Sequence, residues 1–303
     1  QPATTDPGGA EELPVIQVEV DVVNVLCSVR DKDGGLVSDL TKEDFRLREN
    51  KEEQTIKYFA RESDLPLTIG LLVDVSKSQE NLIEVERHAA HRFFSDVLRK
   101  KDLAFLISFG VDAELLQDLT SSTDLLREGL DHLRLNAGAG GVLPGPVPSS
   151  NPRGTVLYEA VYLAAHDMLR KEVGRKVIVV ISDGVDMGSR VSKSEAIEAA
   201  QKADAIVYSI YYADPRYQGF RDGYGDLKRM STETGGRIFE VRRKYPLERV
   251  FADIQEEMRS QYSLGYTPTN PARDGSFRAL TIETTRKGLK VQARKGYYAV
   301  RAN

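Results

Sequence analysis

The sequence predicts an α/β protein in which a doubly wound, mostly parallel sheet is inserted into a split β-sandwich. Three observations predict it. Between residues 64 and 261, short buried-strand runs at 67–73, 103–109, 176–182 and 205–211 alternate with amphipathic helical runs, the pattern of a parallel sheet covered on both faces. The flanks, 14–63 and 262–303, carry strand and turn signals and little else. Each flank has too few strands to close a core alone, so the simplest solution pairs one with the other.

Composition narrows the function. The 303 residues are 41% apolar and 29% charged, which excludes a disordered or fibrous chain. Forty-two basic against 46 acidic residues give a net charge of -4, with no basic run to track phosphates, so nucleic acid is not an expected partner. No uncharged apolar run reaches the length of a membrane span. The single Cys27 excludes an internal disulfide and a cysteine zinc site, and its alternating context makes it a buried small hydrophobe. The chain begins at Gln1 rather than Met, as expected where a leader has been removed.

In order along the chain, 1–13 is expected to be a flexible tail. Alternating valines from 15 to 29 predict one long strand with a bulge near 22 and 23. Residues 31–35 are turn chemistry, Thr41 to Asp44 fit a capping box, and strands are expected at 45–49 and 55–59 on either side of a turn near Asn50. The α/β stretch then offers strand 67–73, helix 81–98 with Leu82, Val85, Ala89, Phe93 and Val97 on its apolar face, and strand 103–109. Helix 123–135, a Gly/Pro-rich loop 136–153, helix 156–170, strand 176–182, helix 193–203 and strand 205–211 follow. A helix-strand-helix set fills 225–261; its last helix carries Leu247, Val250, Phe251, Ile254 and Met258 as a stripe. Short strands at 262–266, 277–284, 289–294 and 297–300 complete the sandwich. The expected units are therefore a tail at 1–13, a sandwich from 14–63 plus 262–303, and the α/β unit at 64–261.

Three pieces of this pattern carry chemistry. The first α/β strand runs into Asp74-Val75-Ser76-Lys77-Ser78, Gly154-Thr155 opens a helix, and Ser182-Asp183-Gly184 ends another strand. In a doubly wound sheet these positions meet at the carboxyl edge, where ligands bind. Asp74, Ser76, Ser78, Thr155 and Asp183 then offer two carboxylates and three hydroxyls, an all-oxygen set suited to a hard cation. Helix capping accounts for one hydroxyl per helix but not for two carboxylates at adjacent strand ends. Asp74 is expected to face solvent.

The order and context of these residues resemble the metal-ion-dependent adhesion site of von Willebrand factor A domains, a D-x-S-x-S with a later T and a later D. The likeness extends to Gly154-Thr155-Val156-Leu157-Tyr158-Glu159-Ala160 and to Val179-Val180-Ile181-Ser182-Asp183-Gly184. Lys77 departs from the pattern, since glycine is common there; a cation at this point either turns away or weakens the metal. The flanks, with Gly34, Val37, Leu40-Thr41 and Asp44-Phe45 and the later Tyr262 to Tyr266 and Arg294 to Tyr298, are similar to bacterial proteins abundant in acidobacteria that frame such a domain with β-rich segments. The resemblance implies a non-enzymatic binding or adhesion module, secreted or in the cell envelope. It implies magnesium, with manganese or calcium as alternatives, held by the five residues and accepting an Asp or Glu of a protein partner.

An enzyme alternative is a haloacid-dehalogenase-like phosphohydrolase using Asp74 as nucleophile. Such enzymes usually carry a second acid where Ser76 stands, and no phosphate-cradling or nucleophile-elbow motif is present. His88 and His91 lack the glutamate of a helical zinc motif and are expected to be a solvated or half-buried pair. The tyrosines at 208, 211, 212, 217 and 224 are expected to serve packing more than a binding surface.

Overall fold

The computed structural model describes residues 22–61, 65–135, 154–214, 216 and 223–300. The expected tail, residues 15–21 of the long valine strand and the loop 136–153 lie outside the described residues; the strand itself begins only at Val23 and pairs with its neighbour over Val23–Cys27 without a register shift, so no bulge within the strand follows Val23 there. The first strands are β1 (Val23–Arg30), β2 (Phe45–Glu49), β3 (Glu52–Gln54) and β4 (Ile56–Arg61). The α/β unit follows as β5 (Leu67–Asp74), α1 (Ile83–Val97), β6 (Leu103–Phe109), β7 (Ala113–Thr120), α2 (Thr123–Asp131), α3 (Leu157–Leu163) and β8 (Arg175–Ser182). It continues through α4 (Lys193–Lys202), β9 (Ala205–Tyr211), α5 (Tyr224–Thr234), β10 (Ile238–Glu240) and α6 (Leu247–Arg259). The chain ends in β11 (Tyr262–Tyr266), β12 (Phe277–Thr284), β13 (Lys290–Ala293) and β14 (Gly296–Tyr298).

The central sheet has the order β10-β9-β8-β5-β6-β7. All its pairs are parallel except β6 with β7. Every residue of β5 is buried, which is why this strand reads as a continuous apolar run instead of an alternating one. One face packs against α1, α2 and α6 through Phe93, Leu126, Phe251 and Ile254; the other packs against α3, α4 and α5 through Leu157, Ala196 and Leu227. The chain goes from β5 to one side for β6 and later to the other side for β8. Its switch point therefore lies beside β5, and the carboxyl edge there opens as a crevice.

The flanks form two antiparallel four-stranded sheets, β13-β1-β11-β4 and β14-β12-β2-β3, each drawing strands from both sides of the α/β unit. Val25, Cys27, Leu47, Leu264 and Tyr266 fill the space between them. Burial pushes the Cys27 thiol up to about 12, as fits a packing residue. Thr41 N–H donates to Asp44 Oδ2 at 2.8 Å, closing the expected capping box. The seam between frame and α/β unit is charged. Glu257 of α6 is fully buried and accepts from Ser28 Oγ of β1 at 3.1 Å, from Arg237 Nε at 2.8 Å and from Arg30.

Several expectations need correction. Residues 113–120, not expected to form a strand, are the antiparallel edge strand β7; its mixed, half-exposed sequence AELLQDLT shows no clean period. Residues 52–54, expected to belong to a turn, form β3, a polar strand at the edge of its sheet. Helix 156–170 is α-helical only over Leu157–Leu163 and continues as a π-type turn over Ala164–Leu169. In α1 the apolar face is rotated: Val85 is exposed and Glu86 is buried in its stead. The α6 stripe is buried at all five expected positions.

Candidate metal site at the carboxyl edge of the central sheet

Asp74 ends β5 and Ser182 ends β8, so the two lie side by side at the edge. Ser182 Oγ donates to Asp74 Oδ2 at 2.6 Å and accepts the Gly184 N–H at 2.8 Å. Asp74 Oδ1 accepts the Ser76 N–H at 2.9 Å, and Asp183 Oδ1 accepts the Val185 N–H at 3.1 Å. Both aspartates thus fold the chain into the same local turn with one oxygen. Asp183 is only half-buried, and its Oδ2 has no hydrogen bond among the described residues. Gly184 has φ +79°, and a Cβ there would lie 2.4 Å from the Gly223 carbonyl oxygen, so the turn after Asp183 requires glycine.

Ser76 and Ser78, both half-buried, bond each other at 3.0 Å between hydroxyl oxygens. Thr155 is brought in through the backbone. Val75 N–H donates to the Phe109 carbonyl at 2.8 Å, and Val156 N–H donates to the carbonyl of the next residue, Gly110, at 2.9 Å. Thr155 is therefore tied to the Asp74 loop across the end of β6. Its own carbonyl accepts the N–H groups of Met187 and Gly188 at 2.9 and 3.1 Å, joining it to the loop that begins at Asp183. The three separated pieces of sequence meet at one edge.

The expectation that Asp74 faces solvent is corrected: it is fully buried behind its neighbours. Burial, and then the nearby Asp183 carboxylate, push its carboxyl up to about 7. Two side chains went unnoticed in the sequence. Glu86 of α1 is fully buried, neither of its carboxyl oxygens has a hydrogen-bond partner among the described residues, and burial plus the charge of Asp74 hold it well above the usual carboxylate range. Gln79 is buried in the same loop; its Nε2 donates to the Tyr212 carbonyl at 3.2 Å while its Oε1 has no partner among the described residues. No sequence signal pointed to Glu86, because a glutamate on an amphipathic helix defaults to the polar face.

A cation fits this donor set. Two carboxylates and the paired hydroxyls of Ser76 and Ser78 stand at this edge with Thr155 tied to it through the backbone, and among the described residues none of the hydrogen bonds to Asp74 comes from a charged donor. Among the described residues no group of three or more His, Cys, Asp or Glu could hold a metal, so a site here depends on its hydroxyls. His88 is exposed with Nδ1 at 2.8 Å from the Glu84 carbonyl oxygen, and His91 is half-buried. Tyr208 is in the core, and Tyr211 and Tyr224 pack edge to face with centroids 5.4 Å apart. Tyr217 lies outside the described residues.

The order of the sheet, its helical layers and the switch-point edge define a von Willebrand factor A-type fold for the α/β unit. The chain is similar in structure to BatB from Bacteroides thetaiotaomicron, with TM-score 0.50 and 19% identity over 63% of this chain and 97% of that one. It is also similar to proximal thread matrix protein 1 from the mussel byssus, whose metal-ion-dependent adhesion motif is occupied by zinc, with TM-score 0.50 and 11% identity over 70% of this chain and 50% of that one. An uncharacterized protein of Borreliella burgdorferi is 22% identical over 199 residues, 60% of this chain. The match spans about half, 54%, of that curated relative's length. No protein-family model matches the sequence.

Proposed function

We propose that this protein is a non-enzymatic binding or adhesion module in which Asp74, Ser76, Ser78, Thr155 and Asp183 hold a magnesium ion that accepts an Asp or Glu carboxylate of a protein partner. The observation that carries it is that the Asp74 and Asp183 turns, the paired Ser76 and Ser78 hydroxyls and the backbone-tied Thr155 come to the switch-point edge, with no charged donor on Asp74 among the described residues. An ion bound there would supply positive charge able to attract a partner's carboxylate. Asp74 acts from behind, steadied by Ser76 N–H and Ser182 Oγ, while Asp183 presents its unbonded oxygen. Ser76, Ser78 and Thr155 add neutral oxygens, which leave a divalent charge incompletely cancelled and so still attractive to an anion. The mussel protein's zinc-occupied motif supports a metal on this fold. A secreted or envelope location belongs to the same proposal.

No observation favours the alternative of a nucleophilic Asp74, and none of the similar proteins points to it. The test is calorimetry with magnesium on the native chain and on Asp74→Asn, which keeps the side chain's shape. The native protein should give a saturable heat that the variant lacks, with both remaining folded. Undiminished magnesium binding by Asp74→Asn removes the assignment.

A further inference from the structure

Lys77 stands between two of the candidate ligand hydroxyls, in the short 3-10 turn Lys77–Gln79. Ser76 and Ser78 are half-buried and bonded to one another, whereas Lys77 is exposed. Among the described residues its ammonium has neither an ion pair nor a hydrogen bond, and the exposed Glu80 of the same turn does not pair with it. An unpaired cation beside a cation site opposes the metal by like-charge repulsion. That opposition is relieved when an anion is shared between the two positive centres, and relieved further when the partner brings two negative charges. On the Thr155 side, Met187 is 60% exposed, yet its backbone is fixed by the 2.9 Å bond from its N–H to the Thr155 carbonyl. A thioether held in this way gives the rim an adaptable apolar surface.

We propose that Lys77 is a specificity-determining residue of this site, selecting an acidic partner loop that places one carboxylate on the metal and a second on Lys77, with an apolar side chain against Met187. The inference rests on the metal-dependent carboxylate reading above. Discrimination comes from charge arrangement, since a partner with a single carboxylate leaves the ammonium unpaired and a basic neighbour meets it with repulsion.

The test uses the full chain with excess magnesium and two blocked peptides, Leu-Gly-Asp-Gly-Gly and Leu-Gly-Asp-Gly-Asp, titrated by NMR. The native chain should bind the two-carboxylate peptide about two- to fivefold more tightly, the range of an exposed ion pair. The ratio of the two affinities should fall to about one in Lys77→Ala, below one in Lys77→Glu, and persist in Lys77→Arg. Met187→Ser should weaken both peptides alike. A native ratio retained by Lys77→Ala overturns the role of Lys77 while leaving the metal reading in place. Binding of both peptides that survives chelation of magnesium overturns the metal reading itself, and binding of neither overturns both.

Discussion

In the β-frame, Glu49 is 3% exposed and its oxygens meet Arg278 Nη1 at 3.1 Å, Tyr266 Oη at 2.6 Å and Tyr297 Oη at 2.9 Å. At the site edge, Glu86 is 0% exposed and its oxygens meet no donor among the described residues. The seam repeats the first pattern, because Glu257 takes hydrogen bonds from Arg30, Arg237 and Ser28. Asp74 shares the second: it is fully buried, receives only neutral donors and lies near another carboxylate. Removing a carboxylate from water costs several kcal/mol unless charge and hydrogen bonds replace the lost solvent. Where the fold needs the carboxylate, its own arginines and tyrosines supply the replacement. At the site edge they do not, and the uncompensated negative charge is what an external cation can relieve.

The largest way to break the paired half of this contrast is Glu257→Ala. It strands two guanidinium groups at the seam and removes the link from β1 to α6, so a loss of about 3–5 kcal/mol in urea unfolding is expected. Glu257→Gln keeps acceptor capacity and should cost less. A loss below about 1 kcal/mol for the alanine variant, the scale of a solvated surface pair, would mean that this network does not hold the frame to the α/β unit.

The unpaired half predicts a pH dependence of opposite character to ordinary acid denaturation. The Asp74 carboxyl is raised from its usual 3.8 to about 7, so the folded state holds this proton more tightly than the unfolded chain does. Its stabilisation is complete below the unfolded value and is lost as pH rises through the folded one, at roughly 1.4 kcal/mol per pH unit for one proton. Glu86 is shifted in the same direction. Metal-free protein should therefore melt at a lower temperature at pH 8 than at pH 5. Magnesium held by Asp74 as proposed would compete with the proton, so its stabilising effect should be larger at pH 8. Thermal scans in chelator and in magnesium at the two pH values check both signs, and Asp74→Asn should reduce the metal-free difference, leaving the part due to Glu86.

The α/β unit was legible because strands such as β5 and β8 are buried almost throughout, and helices such as α6 carry a 3.6-residue stripe. What escaped has the opposite character. β7 mixes exposed and half-buried positions at a sheet edge, and β3 is three polar residues whose only buried member is Gln54. Of the candidate site, the sequence showed that Asp74 and Asp183 follow strands and that Thr155 opens a helix, but not the donor that orients Asp74: Ser182 appeared only as part of a strand-ending motif. Glu86 was hidden for a deeper reason. Periodicity places charge outside, and a helix phase read from Val85 puts Glu86 on the wrong face; local rules fail where a buried polar group serves a site instead of the core.

Glu86→Gln sharpens the contrast with the smallest expected effect. At pH 8 the native glutamate must either lose its proton in a buried place or hold it against solvent, and both cost folding free energy. Glutamine removes that cost while filling the same volume. Its amide introduces two N–H donors, which offset part of the gain if left unpaired. The net stabilisation is expected to be on the order of 1 kcal/mol at pH 8 and smaller at pH 5, because lower pH favours the neutral form towards which burial and the Asp74 charge push Glu86. Measuring both values matters more than measuring either. A gain that is larger at high pH identifies Glu86 as a buried acid without a counter-charge. Destabilisation at pH 8 would instead show that the native carboxylate is ionised and compensated, which would place Glu86 with Glu49 and Glu257 and narrow the uncompensated charge at the edge to Asp74 and Asp183.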